Sequence, residues 1–439
     1  MSWNNFFSSL ILENRPTPLF EKTIFAYKAA PFIANLLCRA LKESQFWPEI
    51  KVKKYQEEMV KKIIKHGEKN IPYWSKKLIH VTSIKDIGPM GKRDYHNLPV
   101  EIFSVKNYRQ ATLRGSTSGS TGIPLTFYND PTSRLWRQAL YKRVITWGGG
   151  QVSDLPLRFM NSERFGLDGV GKFFYCVGPE NITQQKKNIF DVLGGNTVVL
   201  DGFASNLIFL AKIIEKEKPR LFVRFAISTA EMLTKETREY LEKVFRAPVF
   251  NCYTSRETGF IATECELHNG FHVHAENIFL EILDDMDNPV APGQTGLITI
   301  TTFDNHVMPF IRYQLGDIGS FITEPCPCGR TLPRIKFEGR NLASLLLPGG
   351  RVKHLFELIQ PVMKRMQHII QYQIVQKEVN EIVLKLVADK DLTQGIKAEI
   401  YCEIKELLGK DVRLSIEEVS GILPTSGGKQ HHFISNLKN

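Results

Sequence analysis

Cysteine is scarce in this sequence, with seven among 439 residues. The number is odd and the spacing irregular, which argues against a disulfide framework and favours a reducing, cytoplasmic setting. The first twenty residues contain one short apolar stretch, residues 10–12, with no basic residue before it and Glu13 directly behind it. We therefore expect neither a secretory signal peptide nor insertion into a membrane.

Runs of basic residues are also missing. The net charge is +11, but lysine and arginine are spread along the chain, which is typical of a solvated surface that attracts small anionic ligands. Nucleic-acid binding would need clustered basic and aromatic residues, and the sequence has no such signature. We therefore expect small molecules as partners and no nucleic acid.

No internal repeat is visible, and the apolar fraction of 43% is ordinary for a globular protein. A chain of 439 residues is long for one domain, so we expect two or more. The first hundred residues are predicted to be helical. Residues 55–66 carry apolar side chains at helical spacing, and Gly67 is a stop signal for this helix.

Strand and helix patterns alternate from about residue 125 to residue 251. Residues 206–216 have helical spacing, residues 221–227 form a strand candidate, and Thr234 is placed to cap a further helix. Another strand begins at residues 248–250. This alternation predicts βαβ units with a parallel sheet.

The pattern changes in the later part of the chain. Short strands at 281–283 and 297–302 are separated by turn residues, which predicts an antiparallel or barrel-like piece. A β-hairpin over 371–387, an amphipathic helix over 398–408 and a strand over 412–416 predict a compact α+β domain at the end of the chain.

The most informative stretch has the sequence STSGSTGIP and occupies residues 116–124. Its hydroxyls and closely approaching backbone N–H groups make a nest suited to phosphate oxygens. No lysine follows the second glycine, so this is not a Walker-type loop. A flexible Ser/Gly linker has a similar composition. The run is short, however, and the apolar residues Leu125, Phe127 and Tyr128 follow at once, so we favour phosphate binding.

Four later segments carry chemically suggestive residues. A strand candidate leads into NCYTSRETG at 251–259, RYQLGD occupies 312–317, EGRN occupies 338–341, and LPTSGGK occupies 423–429. Each has an ordinary structural explanation when taken alone, such as a Gly-Asp turn or a mobile basic tail. Their combination and order make binding and catalysis the better interpretation.

In this order, the five segments resemble those of the adenylate-forming superfamily, which includes acyl-CoA and aryl-CoA ligases. The Tyr-x-Ser-Arg-Glu form resembles the branch with phenylacetate–CoA ligase-like and capsular-polysaccharide CapK-type proteins. The resemblance runs from about residue 113 to residue 429. It implies an α/β fold with a large, multi-subdomain N-terminal adenylate-forming domain over 1–339, built of βαβ sheets plus a β-barrel-like piece. It also implies a small, mobile α+β C-terminal domain over 340–439.

The resemblance also implies roles at the matching positions. Glu257 would hold Mg²⁺, Asp317 would accept hydrogen bonds from the ribose hydroxyls, and Lys429 would stabilise charge on the α-phosphate. Departures occur at Arg256, where Ser or Thr is more usual, and at 342–344, where the Asp or Lys pivot of the hinge is missing. The remaining ATP-binding residues implied are Ser118, Gly119, Ser120, Thr121, Gly122, Ala230, Glu231, Asn251, Cys252, Tyr253, Arg256 and Arg340.

A separate cysteine and histidine cluster predicts a structural zinc site. Two short ligand pairs that are far apart in sequence can close a tetrahedral site, and cysteines of this kind occur in phenylacetate–CoA ligase-like relatives. His272 and His274 compete with His268 as the nitrogen ligand. The predicted ligands are Cys265, His268, Cys326 and Cys328.

The sequence therefore predicts an ATP-dependent carboxylate–CoA ligase that uses ATP, Mg²⁺ and coenzyme A with a carboxylic acid, aromatic by resemblance. An alternative is an adenylate-forming enzyme with another acceptor: an amine, a sugar hydroxyl in cell-surface polysaccharide synthesis, or a carrier protein. A non-catalytic nucleotide- or zinc-binding scaffold is a third hypothesis. Retention of both Glu257 and Lys429 argues against it. The sequence leaves open whether the protein forms a homodimer.

Overall fold

We analysed a computed structural model of the chain. It describes residues 35–106, 113–117, 125–151, 154–159, 174–175, 187, 189–190, 195–340, 344–365, 368–388, 392–422 and 433–437. The predicted phosphate loop at Ser118–Gly122 and the predicted catalytic Lys429 lie outside these residues, and the side chain of Arg340 is not described.

The helices follow a helical segment at residues 35–44. They are α1 Glu49–Asn70, α2 Pro72–Lys77, α3 Lys92–His96, α4 Pro131–Trp147, α5 Ala204–Glu217, α6 Lys235–Phe245, α7 Leu355–Met363 and α8 Gln394–Leu408. No helix in the described part of the chain is both long and apolar enough to span a bilayer.

The strands are β1 Met90–Gly91, β2 Leu113–Ser116, β3 Thr126–Asn129, β4 Leu155–Phe159, β5 Phe174–Tyr175, β6 Thr197–Gly202, β7 Phe222–Thr229, β8 Val249–Ser255, β9 Gly259–Glu264, β10 Phe271–Val273, β11 Ile278–Leu283, β12 Gly296–Thr302, β13 Tyr313–Ile322, β14 Arg334–Arg340, β15 Ser344–Leu346, β16 Val352–His354, β17 Ile369–Glu378, β18 Glu381–Ala388, β19 Arg413–Glu418 and β20 Phe433–Ser435.

The chain divides into two compact units. Unit 1 comprises Met1–Thr117, Ile123–Gly148 and Cys252–Glu338, and unit 2 comprises Ser118–Gly122, Gly149–Asn251 and Gly339–Asn439. One boundary between the units falls between Glu338 and Gly339, whereas the predicted C-terminal domain starts at Arg340. The division of the whole chain into domains 1–339 and 340–439 stays a prediction.

Unit 1 is organised around a sheet whose strands follow the order β11-β12-β13-β14-β10-β9-β8. Short strand β1 pairs in parallel with β13, and β2 and β3 form a separate antiparallel hairpin. A single apolar core contains buried aromatic side chains from the helices and from the sheet, including Trp74, Trp136, Phe103, Phe310 and Tyr313.

Helix α1 forms because its apolar residues recur at helical spacing, with Met59, Ile63 and Ile64 buried in this core. The prediction that Gly67 stops the helix is wrong, since α1 continues to Asn70. A Cβ atom at Gly67 would lie 3.2 Å from Leu78 and Trp74 side-chain atoms. The glycine therefore permits close packing and does not end the helix.

Unit 2 confirms the predicted βαβ arrangement. Strands β4, β5, β6 and β7 pair in parallel, in the order β7-β6-β4-β5, and helices α5 and α6 follow β6 and β7. Thr234 caps α6 as predicted, because its Oγ1 accepts a hydrogen bond from the N–H of Thr237 at 3.2 Å.

The last hundred residues of unit 2 form the predicted α+β arrangement. A four-stranded sheet has the order β19-β18-β17-β20, with the β17–β18 hairpin antiparallel and the outer pairs parallel. Helices α7 and α8 cover an apolar core that includes Leu358, Ile374, Leu384 and Ile404. The α/β fold class predicted from sequence is confirmed.

Candidate functional site

Two of the predicted nucleotide-binding segments lie in unit 1. Strand β8 ends at Ser255, a turn follows, and β9 returns antiparallel with Gly259 opposite Ser255. The Ser255 Oγ accepts a hydrogen bond from the N–H of Thr258 at 3.1 Å, which closes the turn. Gly259 has φ of +78°, a conformation that favours glycine. This turn carries Arg256 and Glu257.

Glu257 is held at both its backbone and its side chain. Arg137 on α4 donates to the carbonyl oxygens of Arg256 at 3.1 Å and of Glu257 at 2.9 Å. The Tyr313 hydroxyl donates to Glu257 Oε1 at 3.0 Å. Burial, reinforced by the Glu257 carboxylate, raises the pKa of Tyr313 well above 10, so the hydroxyl keeps its proton and stays a donor.

Asp317, the predicted ribose ligand, lies in β13 and is 3% exposed. The Tyr253 hydroxyl donates to Asp317 Oδ2 at 2.6 Å. The ring of Tyr253 also packs on Phe337, with centroids 5.2 Å apart. The structure thus brings Tyr253, one of the predicted ATP-binding residues, into direct contact with the predicted ribose carboxylate.

Arg256 lies beside the base of the Ser/Gly loop. Its side chain is exposed, and its Nη1 donates to the carbonyl oxygen of Ser116 at 2.9 Å. The two described ends of the loop are joined, since Thr117 N–H donates to the Leu125 carbonyl at 3.0 Å and Leu125 N–H donates to Thr117 Oγ1 at 2.9 Å. Arg256 therefore lies where the chain enters the loop.

Two more of the predicted ATP-binding residues, Ala230 and Glu231, lie in unit 2, directly after β7. Ala230 adopts φ of +61°, so the chain bends sharply there. The Glu231 carboxylate accepts hydrogen bonds from the N–H of Ser205 at 2.8 Å and from its hydroxyl at 3.0 Å. Since Ser205 lies in the first turn of α5, Glu231 acts here as a partner of that helix N-terminus.

Two further predicted residues lie in β8. The Cys252 side chain is 2% exposed and packs into the interior, so only its backbone is placed to meet a ligand. Asn251 is half-buried. The predicted roles of both residues, and of Arg340, Lys429 and the Ser118–Gly122 loop, stay predictions.

Three cysteines and one histidine of unit 1 form a compact cluster. The ligand atoms of all four side chains lie within 4.8 Å of one another. Sulfur of Cys265 is 3.7 Å from that of Cys326, and Cys328 sulfur is 3.4 Å from His272 Nε2. The cluster consists of Cys265, His272, Cys326 and Cys328.

The histidine in this cluster differs from the predicted one. His268 lies in the turn between β9 and β10, and its Nδ1 is 3.3 Å from Glu264 Oε2. Strand β10 pairs antiparallel with β9 and carries His272 back alongside Cys265. His272, one of the two competing candidates, therefore replaces His268 in the set of ligand atoms. His274 is used elsewhere, since its Nδ1 is 3.1 Å from Arg143 Nη1.

The donor set fits a tetrahedral zinc ion. Three thiolates and one imidazole are the ligands of structural zinc sites. Burial, with the nearby Arg330 and Arg334 charges, lowers the pKa of His272 to about 4, so the ring is neutral, as a metal ligand must be. Burial acts to raise the pKa of Cys328, but hydrogen bonds from the backbone and side chain of Arg330 bring it below the usual value.

The loop after Cys328 ties this cluster to neighbouring segments of unit 1. Arg330 lies over the ring of Trp147, 4.4 Å from its centroid, and its Nε donates to Gln45 Oε1 at 3.2 Å. Thr331 N–H donates to the Gln45 carbonyl at 2.9 Å, and its hydroxyl donates to the Trp47 carbonyl at 2.5 Å. A metal in the cluster would therefore stabilise the packing of the loop after Cys328 against Trp147 and against the segment around Gln45 and Trp47.

Two residues that contact the predicted site, Tyr313 and Arg137, were not among the predicted site residues. Tyr313 could have been predicted, because it belongs to the RYQLGD segment, where only Asp317 was assigned a role. Arg137 carries no comparable signal, since it is one arginine in a helix far from every motif.

Comparisons with known proteins find a family model and related sequences that match this chain. The CapK C-terminal domain family matches residues 349–436. Phenylacetate-coenzyme A ligase of Thermus thermophilus is 22% identical over 409 residues, covering 85% of this chain and 89% of that protein. Protein CapK of Staphylococcus aureus is 25% identical over 394 residues, covering 83% of each.

The fold is also similar to that of solved structures. A crystal structure of 2-hydroxyisobutyryl-CoA ligase in the postadenylation state, in complex with R3-HIB-AMP, matches with a TM-score of 0.75 at 18% identity. The match covers 89% of this chain and 91% of that chain. The fold is thus that of the adenylate-forming CoA ligases. In sequence, the chain is similar to phenylacetate–CoA ligase and CapK, and its residues 349–436 match the CapK C-terminal domain family.

Proposed function

We propose that this chain is an ATP-dependent carboxylate–CoA ligase that activates a carboxylic acid as its acyl-adenylate and then forms the CoA thioester. The observation that carries the proposal is the meeting of two motif segments in unit 1. Glu257 and Asp317, the carboxylates assigned to the metal and to the ribose, are each hydrogen-bonded to a tyrosine of the other segment, at 3.0 Å and 2.6 Å. The phenylacetate–CoA ligase relative supports an aromatic acid as the substrate class.

In the first half-reaction, a carboxylate oxygen of the acid attacks the α-phosphorus of ATP. The new O–P bond forms as the bond to pyrophosphate breaks. Asp317 orients the nucleotide by accepting hydrogen bonds from its ribose hydroxyls, and Arg256 offers its guanidinium to phosphate oxygens at the start of the Ser/Gly loop. Positioning and charge complementarity dominate transfers at phosphorus, so few groups need to react covalently.

Charge on the phosphates needs a cation. A single carboxylate such as Glu257 suits Mg²⁺, which prefers one or two carboxylates together with phosphate oxygens and water. When bound, Mg²⁺ would neutralise charge on the phosphate oxygens. Lys429 would add a compact positive charge at the α-phosphate and bridging oxygens.

In the second half-reaction, the thiol of CoA attacks the acyl carbon of the adenylate. The C–S bond forms, the bond to AMP breaks and the thiol proton is released. Movement of the C-terminal domain between the two steps, about the segment near Arg340, would withdraw Lys429 and admit the thiol.

We propose that the four-residue cluster holds structural zinc. Four protein ligands would leave no open coordination position, so the metal would stabilise the surrounding loops and take no part in the chemistry. The ligands would be Cys265, His272, Cys326 and Cys328.

A non-CoA acceptor is the second candidate function, favoured by the CapK C-terminal domain at 349–436. In that case the first half-reaction is unchanged. The adenylate would then be attacked by an amine, a sugar hydroxyl in polysaccharide synthesis or a carrier-protein thiol.

The test separates the two half-reactions. Exchange of labelled pyrophosphate into ATP, measured over a panel of aromatic, aliphatic and amino acids, reports adenylate formation. We expect pyrophosphate exchange that depends on the acid, together with thioester formation that depends on CoA. Acid-dependent exchange without CoA-dependent product formation would favour the non-CoA acceptor. No exchange with any acid would contradict both candidate functions.

The assignment of Lys429 has its own test. Lys429→Ala should abolish adenylate formation while leaving thioester formation from supplied acyl-adenylate largely intact. Equal loss of both half-reactions would contradict the role given to this residue.

A further inference from the structure

Strands β8 and β13 are not neighbours in the sheet of unit 1, because β9, β10 and β14 lie between them. In a flat sheet these four steps would separate them by roughly 19 Å. Two side-chain hydrogen bonds nevertheless join their segments, Tyr253 to Asp317 at 2.6 Å and Tyr313 to Glu257 at 3.0 Å. The sheet therefore curls, and each segment supplies the tyrosine that holds the other segment's carboxylate.

The backbone of the turn that carries Glu257 is also fixed, by hydrogen bonds that do not involve Tyr313. Arg137 donates from Nη1 to the Arg256 carbonyl and from Nη2 to the Glu257 carbonyl, so one planar guanidinium holds two successive peptide groups. A Cβ atom at Gly259 would lie 3.1 Å from Arg137 Cγ and Nε. The glycine thus lets the arginine approach the turn closely.

Tyr313, the hydrogen-bond donor to Glu257, is held rigidly by its neighbours. The Tyr313 ring is 1% exposed and packs against Tyr95 and Phe310, at centroid distances of 5.5 Å and 4.8 Å. Its hydroxyl is therefore fixed before any ligand binds. With Oε1 of Glu257 accepting from this hydroxyl, Oε2 is left for a metal.

We propose that Tyr313 and Arg137 are positioning residues for Glu257. Arg137 fixes the backbone of the turn, and Tyr313 fixes the rotamer of the carboxylate that binds Mg²⁺·ATP. This inference rests on the proposed function, since it takes Glu257 as the metal-binding carboxylate. It adds two residues that act through Glu257.

The test compares Tyr313→Phe with the matched variant Tyr95→Phe. Both changes remove one hydroxyl from the same aromatic cluster, but the Tyr95 hydroxyl makes no hydrogen bond to Glu257. Calorimetry measures the Kd of ATP with Mg²⁺ and, separately, with EDTA. A hydrogen bond to a charged group predicts that Tyr313→Phe weakens Mg²⁺·ATP binding by about tenfold to a hundredfold. Metal-free ATP binding should match that of Tyr95→Phe.

Arg137→Lys provides a second variant that keeps the charge but removes the planar fork whose two nitrogens each reach one carbonyl. It should also weaken Mg²⁺·ATP binding more than metal-free ATP binding. Wild-type affinity for Mg²⁺·ATP in Tyr313→Phe would overturn the proposal, and so would an equal loss with and without the metal. Failure of the wild-type protein to activate any acid, with Mg²⁺·ATP binding intact, would contradict the ligase function and leave this inference standing.

Discussion

Loss of Cys326, one of the four proposed zinc ligands, should loosen a region that is distant from it in sequence. The cluster anchors the loop after Cys328, and this loop donates hydrogen bonds to the segment around Gln45 and Trp47. Cys326→Ser removes one of the four ligands from a set whose atoms lie within 4.8 Å of one another. We expect zinc to be lost and the loop to detach from its partners.

The size of the effect follows from the contacts. Arg330 Nε, Thr331 N–H and the Thr331 hydroxyl donate to Gln45 or Trp47 at 3.2, 2.9 and 2.5 Å. At about 1 kcal/mol net for each hydrogen bond, their loss amounts to about 3 kcal/mol. A local opening equilibrium should then shift by roughly a hundredfold, because each 1.4 kcal/mol is a factor of ten.

Hydrogen–deuterium exchange followed by mass spectrometry measures this opening directly. Peptides that contain Gln45–Trp47 and the 326–331 loop should exchange faster in Cys326→Ser and in chelator-treated protein, while the core strands of unit 2 stay protected. Cys38→Ser is the control, since Cys38 is also buried but lies outside the cluster. Wild-type protein without bound zinc would refute the reasoning, as would metal-free protein with unchanged protection of both segments.

Three further predictions concern unit 1. Tyr253→Phe keeps the ring but removes the hydroxyl that donates to Asp317. The Kd of ATP should therefore rise about tenfold, while the Kd of 2′-deoxy-ATP changes less. Equal changes for both nucleotides would contradict the ribose role of Asp317. Glu276→Leu removes the carboxylate partner of Arg143, whose side chain is 1% exposed. The free energy of unfolding of unit 1, measured by chemical denaturation, should fall by about 3–5 kcal/mol. A fall below about 1 kcal/mol would show that the arginine finds another partner. Burial lowers the pKa of His66 to about 4 from 6.5, so the unfolded state binds more protons between these values and stability should fall as the pH drops from 6.5 to 4. In His66→Gln, melting temperatures over this range should fall less steeply, and an unchanged slope would exclude His66 as a contributor.

The helices and strands of unit 2 could be predicted because local signals agree there with the packing. Apolar spacing predicts α5 within a few residues of its observed bounds, and the Thr234 hydroxyl makes the capping bond expected of it. Gly67 shows the limit of such signals. The same residue that ends many helices lies inside α1, where Trp74, Leu78 and Ile311 would lie only 3.2 to 3.3 Å from a Cβ atom.

The metal cluster was predictable in its cysteines and ambiguous in its histidine. Three candidate histidines lie within seven residues, at positions 268, 272 and 274. Sequence spacing cannot choose among them, because the choice depends on how β10 returns along β9. The observed register, with Phe271 opposite Glu264, brings His272 back and leaves His268 in the connecting turn.

Glu231 illustrates a different difficulty. The sequence correctly places an acidic residue at the end of a strand, where nucleotide ligands often bind. Both carboxylate oxygens of Glu231, however, accept hydrogen bonds from Ser205 at the start of α5. A residue type that suits a ligand equally suits the exposed N–H groups of a helix N-terminus. The two uses cannot be distinguished before the partner is known.

The tyrosines of the site could not be predicted by examining each segment alone, for a physical reason. A glutamate or aspartate side chain has several rotamers, and fixing one for a metal or a ribose costs conformational entropy. The protein reduces this cost by holding the carboxylates of Glu257 and Asp317 before any ligand arrives, Glu257 with the buried ring of Tyr313 and Asp317 with the half-buried ring of Tyr253. Each ring comes from the other segment, because curvature of the sheet brings together strands that are far apart in the chain. The carboxylates proposed to bind the metal and the ribose are therefore linked by hydrogen bonds between the same two segments, and we expect a change to either tyrosine to weaken ATP binding.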